Sequence, residues 1–251
     1  MVPLVAEPIF HIGFFPVTNS ILDTLFVDLV LIILIIAVNR RIKLIPNFLQ
    51  NIIEFVIKTF YDLTETIAGE RTKKIFPYFM TFFIFILIAN WSELIPGFSS
   101  IGFFQTEGHG KTLVPFFRGA TSDLNTTLAL AMVSAVATHT MSIRTIGIKD
   151  YLSRYLSLNP INLFVGFLEI IGEFTKIISL SFRLFGNIFA GGVVLGIISG
   201  IFALVVPLPF LLLEILVGLV QALIFGMLTM VFMSILMTPH NENHAKEVRA
   251  K

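Results

Sequence analysis

The feature that most constrains this chain is an arginine placed deep in an apolar run. Arg183 stands inside a stretch from about residue 161 to 206 that is hydrophobic almost throughout. A guanidinium in hydrocarbon costs about 2.5–3.5 kcal/mol on insertion scales, so it is kept there only for a reason. Its charge is also permanent, because arginine does not deprotonate at accessible pH. Something anionic must reach it, either to stay or to pass by.

Helical spacing adds a polar stripe. At about 100° per residue, Lys176 and Glu169 fall within about 40° of the Arg183 direction. Asn187, four residues on, continues that face, and Glu173 precedes Lys176 by three. Glu169 lies about 21 Å from Arg183 along the helix axis. A ladder of buried ion pairs holding a bundle together is the bland reading. Lys176 and Glu173 can satisfy each other locally, but Arg183 has no carboxylate within one turn.

The run Ser179-Leu180-Ser181-Phe182-Arg183-Leu184-Phe185-Gly186-Asn187-Ile188-Phe189-Ala190-Gly191-Gly192 resembles the signature of subunit a of F-type ATP synthases, and the resemblance covers nearly the full length. It implies the stator half of a membrane rotary motor, with Arg183 facing a ring of c subunits that each carry one buried carboxylate. It also implies a peripheral-stalk b subunit and the other synthase subunits as partners. The chain would then be a non-catalytic part of the complex, without a cofactor.

Composition agrees with a membrane protein. Of 251 residues, 56% are hydrophobic and 13% charged, against about 45–50% and about 25% in soluble domains. The net charge of +1 argues against a nucleic-acid partner. The absence of Cys removes disulfides and thiolate metal sites. No basic n-region of a signal peptide is evident.

The fold expected is an all-α polytopic membrane protein, a single integral domain lodged in the lipid bilayer. Residues 1–19 form an outer segment, with spans at 20–38, 75–95 and 123–143, long helices at 161–206 and 210–238, and an inner tail at 239–251. In the first span, Asp28 reads as structurally paired. Between the first two spans, 47–68 has apolar residues every three or four positions and a strip of Gln50, Glu54, Lys58 and Asp62. That is an amphipathic helix at the membrane interface. As single helices the last two runs would measure about 63 and 43 Å against a hydrocarbon core of about 30 Å. Either they are strongly slanted, or Gly192, Gly196 and Gly200 bend the first. The family resemblance favours a slanted hairpin following the ring.

Charge fixes a topology. Inner segments would hold Arg40, Arg41, Lys43, Lys58, Arg71, Lys73, Lys74, Arg144, Lys149, Arg154, Lys246, Arg249 and Lys251, and outer ones only Lys111 and Arg118. That places the N-terminus outside and the C-terminus inside, in a bacterial plasma membrane.

Further polar residues mark candidate ion routes. Glu214 and Gln221 are seven apart on the last helix, with Gly218 between them on one face. With Asn187 they are assigned to an outer half-channel. Asp123 reads as a helix N-cap, while the family resemblance puts the Asp123-Leu124-Asn125 element near the ion route. Glu169, Glu173 and Lys176 are assigned to the inner side. Many family members carry an ionisable group at the position of Gly192 and its partner at that of Glu214. Here the carboxylate reads as relocated to the last helix, with Gly192 leaving it room. His109 reads as a solvent histidine and His139 as a satisfied packing residue. A self-contained secondary transporter is the alternative, but neither an inverted repeat nor paired interrupted helices stand out. An intramembrane enzyme lacks a nucleophile–base pair.

Overall fold

The computed structural model describes residues 7–12, 15–40, 42–43, 46–95, 97, 101–107, 110–155, 160–201 and 206–238. His109 and the tail from 239 lie outside them. A short hairpin of β1 (Pro8–Ile12) and β2 (Phe15–Thr18) leads into α1 (Asn19–Arg40). Then come α2 (Phe48–Ala68), a 3-10 turn and α3 (Thr72–Ser92). A second hairpin, β3 (Gly102–Glu107) with β4 (Gly110–Pro115), precedes α4 (Leu124–Ile146) and the short α5 (Ile148–Tyr155). The chain closes with α6 (Pro160–Ile201) and α7 (Pro207–Leu236).

Among the described residues, five stretches are long and apolar enough to cross a membrane, within α1, α2–α3, α4, α6 and α7. The protein is therefore an all-α polytopic membrane protein. The two hairpins are an addition to the sequence reading, which treated both regions as irregular. Their strands are only four to six residues long.

Local chemistry explains the breaks. Asp123 caps α4 by accepting from the Asn125 amide at 3.0 Å. Gly147, at φ +87°, lets the chain leave α4 and turn at once into α5. Pro207 opens α7 in the first turn, where its missing amide costs nothing. α6 is helical without interruption across Gly192, Gly196 and Gly200. Its 42 residues span about 63 Å.

α3 and α7 run antiparallel and are joined at both ends. Asn90 Nδ2 donates to the Gly218 carbonyl at 2.9 Å, and Arg71 Nη1 to the Ser234 carbonyl at 3.4 Å. Between these points Phe79, Phe82, Phe83 and Ile86 pack against Ala222, Phe225, Met230 and Met233. α4 turns its small residues inward: Ala131, Ser134 and Thr138 are buried. Ser134 Oγ meets Thr229 Oγ1 at 2.8 Å, and Thr127 Oγ1 meets Ser181 Oγ at 3.1 Å, so close packing and hydroxyl pairs tie α4 to α7 and α6. α6 buries Leu180, Leu184 and Ile188 against this core and leaves its other face bare.

α2 is amphipathic as read, but its apolar side is only partly used. Phe60 packs at a tilt against Phe79 and Phe83, whereas Phe48 and Phe55 are exposed. Asp28 corrects the expectation of a structural pair. It is exposed on α1, and among the described residues nothing pairs with it.

Candidate ion-route residues

Arg183 lies on the bare face of α6. Its side chain is exposed, next to Phe182, and its Nη2 reaches the Ser179 hydroxyl at 3.4 Å. Among the described residues its guanidinium meets no carboxylate. A narrow crevice between α6 and α7 brings it beside Gln221, with Leu180, Leu184, Ile224 and Phe225 as walls. Asn187 is exposed one turn further along.

From Arg183 toward the N-terminal end of α6 runs an open groove of about 410 Å³. Gly172, Thr175, Lys176 and Ser179 line it on α6, and Leu228 and Phe232 on α7. Lys176 Nζ lies 4.6 Å over the Phe232 ring, a cation–π arrangement, and 2.7 Å from Glu173 Oε1. The other Glu173 oxygen faces His139 Nε2 at 3.6 Å. Glu169 pairs with Arg154 of α5 at 2.9 Å. The local Lys176–Glu173 pair is the one the sequence spacing anticipates, while α5 as the source of a partner for Glu169 is not.

The opposite end is acidic and tightly closed. Glu214 is buried, and it lies against Gly191, where a Cβ would run into the carboxylate. Gly192 instead faces Glu93, whose Oε1 would stand 3.2 Å from a Cβ there. The room for Glu214 is thus made by Gly191, not by Gly192. Glu93 is in electrostatic reach of Asp23, Arg118 and Glu214. Asp23, fully buried, accepts from the Ala120 amide at 2.6 Å and from Ser92 Oγ at 3.3 Å. Glu214 Oε1, Glu93 Oε2, Asp23 Oδ1 and Asn90 Oδ1 are buried without a hydrogen-bond partner among the described residues.

Arg118 supplies the positive charge at this end. It is buried, donating to the Ser122 carbonyl at 3.3 Å. Burial pushes its guanidinium down, and Asp123 and Glu93 oppose that. Asp123 is thereby both an N-cap and a neighbour of Arg118. The Asn125 side chain is exposed, and no hydrogen bond joins it or Asp123 to Glu214.

Sequence reasoning missed Glu93, and it gave Asp23 and Arg118 no role. The signal available was weak: each is an ionisable residue inside or at the edge of an apolar segment. Their convergence depends on contacts between segments far apart in the chain.

A polytopic helical bundle with an arginine on a bare helix face that meets no carboxylate among the described residues, flanked by an open groove and a buried acidic cluster, defines a membrane protein with charged groups set among its apolar helices. Over residues 21–234 the chain matches the family described as ATP synthase A chain, and it belongs to that family. It is 31% identical to ATP synthase subunit a of Moorella thermoacetica, over 90% of this chain and 94% of that one. With ATP synthase subunit a of Legionella pneumophila it shares 33% identity, over 90% of this chain and 89% of the relative.

Proposed function

We propose that this chain is the stator of a proton-driven rotary motor, in which Arg183 forces each carboxylate of a passing c-subunit ring to ionise. The observation that carries this reading is the exposed guanidinium on the bare face of α6, which meets no carboxylate among the described residues. A structural arginine would be buried against its partner. A cation beside a carboxylate lowers its pKa by about 1–3 units, enough to release a proton from a desolvated site.

Two routes reach that point from opposite ends. The groove through Lys176 toward Glu173 and Glu169 is the inner half-channel. The cluster of Glu214, Glu93 and Asp23, continued by Gln221 and Asn187 and bounded by Asp123, Asn125 and Arg118, is the outer one. Their separation means that an ion crosses the membrane only by riding the ring between them. Drive comes from charge moving in the membrane field, about 2.3 kcal/mol per charge per 100 mV. The excess of Lys and Arg on the Arg40, Lys73 and Arg154 side argues that this side is cytoplasmic, in a bacterial plasma membrane. The b subunit of the peripheral stalk and the remaining synthase subunits complete the assembly.

The test is removal of the charge. A bundle tie predicts misassembly on truncation, at a cost of about 3–5 kcal/mol. The motor reading predicts that Arg183→Ala assembles, makes no ATP from an imposed proton gradient, and leaks protons. Arg183→Lys should also fail at coupling, since a desolvated lysine gives up its proton. ATP synthesis and passive proton flux in vesicles with quantified complex decide it. Coupled synthesis near the wild-type rate in either variant defeats the assignment.

A further inference from the structure

His139 is half-buried on α4, and both of its ring nitrogens face groups that exchange protons. Nδ1 is 3.0 Å from the Tyr151 hydroxyl of α5, and Nε2 is 3.6 Å from Glu173 Oε2 of α6. The second Glu173 oxygen is held by Lys176, whose side chain lines the groove leading to Arg183. Glu173 therefore stands between that groove and His139.

The surroundings keep this geometry. Tyr151 packs edge-on against His139 and against Tyr155, with centroids 6.0 and 5.3 Å apart. Burial pushes the Tyr155 phenol up, with Tyr151, Glu173 and Glu169 adding to it, so Tyr155 stays neutral. The Arg154–Glu169 pair fastens α5 to α6, and Arg154 also donates to the Leu236 carbonyl of α7 at 3.3 Å. α7 brings no titratable side chain to this end, since its single ionisable residue is Glu214. Among the described residues, the charged and titratable groups of α5 and α6 at this end include Glu173, Lys176, Glu169, Arg154, Asp150, Tyr151 and Tyr155.

We propose that His139 is a proton-transfer residue, linking Glu173 through Tyr151 to the aqueous surface beside α5 as a side branch of the inner half-channel. The inference rests on the stator reading above. Imidazole takes a proton at one nitrogen and releases one from the other. Glu173, protonated from the groove, gives its proton to Nε2. The ring passes the Nδ1 proton to the Tyr151 oxygen, and the Tyr151 hydroxyl proton goes to water. One proton enters and one leaves; Glu173 and Tyr151 end as they began, and reorientation of the imidazole restores its starting tautomer before the next transfer. The 3.6 Å gap at Glu173 is closed by a small ring rotation or one bridging water.

The test uses the assembled synthase in vesicles. His139→Gln keeps hydrogen bonding at both ends but does not carry a proton. It should assemble and synthesise ATP about three- to ten-fold more slowly, less than the loss of a sole acid–base group because the groove remains a parallel path. Its dependence of rate on inner pH should differ from that of the wild type. His139→Ala should regain rate on addition of imidazole. A wild-type rate and pH profile in His139→Gln overturns the proposal, as does a slowed rate with an unchanged profile. A deficit in His139→Ala that imidazole leaves in place, or failure of His139→Gln to assemble, makes the residue a bundle tie and overturns it too. Wild-type vesicles and Arg183→Ala run in parallel: if the wild type makes no ATP from the gradient, the stator reading fails instead.

Discussion

The two ends of α6 hold carboxylates in opposite circumstances. Toward its N-terminus, Glu169 and Glu173 each have a cation within 3 Å, from Arg154 and Lys176. Toward its C-terminus, Glu214 and Glu93 crowd against Gly191 and Gly192 with one oxygen each left without a partner. Arg118 is the cation that faces Glu93 there, and it is shared with Asp123. A cation beside a carboxylate offsets part of the cost of burying it. A buried carboxylate oxygen without a partner keeps its full desolvation cost. The two ends thus differ in how buried charge is compensated, by a neighbouring cation at one and incompletely at the other. Asp150 is an exception at the paired end, with both oxygens buried and unpartnered, in the favourable first turn of α5.

The largest effect should come from removing the side chain of the unpaired end. Glu214→Leu replaces a buried, half-satisfied carboxylate by an apolar group of similar volume, a change that is often near neutral for stability. Gradient-driven ATP synthesis should fall at least about ten-fold while the complex purifies intact. Glu173→Leu should in addition lower the yield of assembled complex, because Lys176 is left uncompensated. If Glu214→Leu pumps normally and Glu173→Leu assembles normally, the contrast between the ends collapses.

A smaller effect tests which glycine matters. Gly191→Ala puts a methyl where the Glu214 carboxylate lies, whereas Gly192→Ala meets only Glu93 Oε1 at 3.2 Å. The flexible tip of either side chain can shift, so both variants should assemble. Gly191→Ala should slow synthesis several-fold by displacing the carboxylate, and Gly192→Ala less. Equal rates in the two would show that the position of Glu214 is unimportant.

This pair of glycines also shows what the sequence reveals and what it hides. Arg183, the length of α6 and the Lys176–Glu173 pair are legible because each depends on local spacing within one helix. The apolar run, its single family-like motif and the i, i+3 rule suffice. Which of two adjacent glycines faces Glu214 depends on helix rotation, since neighbours point about 100° apart. Asp23 bonded to Ser92 and Ala120, and Asn90 bonded to Gly218, join residues about 70 to 130 positions apart. No periodicity encodes such contacts. The hairpins at β1–β2 and β3–β4 were hidden for another reason: strand preference depends on the surface a strand packs against.

The smallest effect belongs to Glu169 and separates reach from stability. Its pair with Arg154 is partly open, with side chains 25% and 13% exposed. Partly solvated pairs contribute about 0.2–1 kcal/mol, so Glu169→Gln should barely change assembly. If the groove side of α6 is the inner half-channel, that partial exposure means water from the inner face reaches position 169. Glu169→Cys should then react with a membrane-impermeant thiol reagent added from the inner face, since the chain has no other cysteine to confuse the signal. Its distance of about 21 Å along the helix from Arg183 keeps it on the same side whatever the slant of α6. Labelling only from the outer face would reverse the direction of both half-channels, and with it the assignment of the paired end to the cytoplasm.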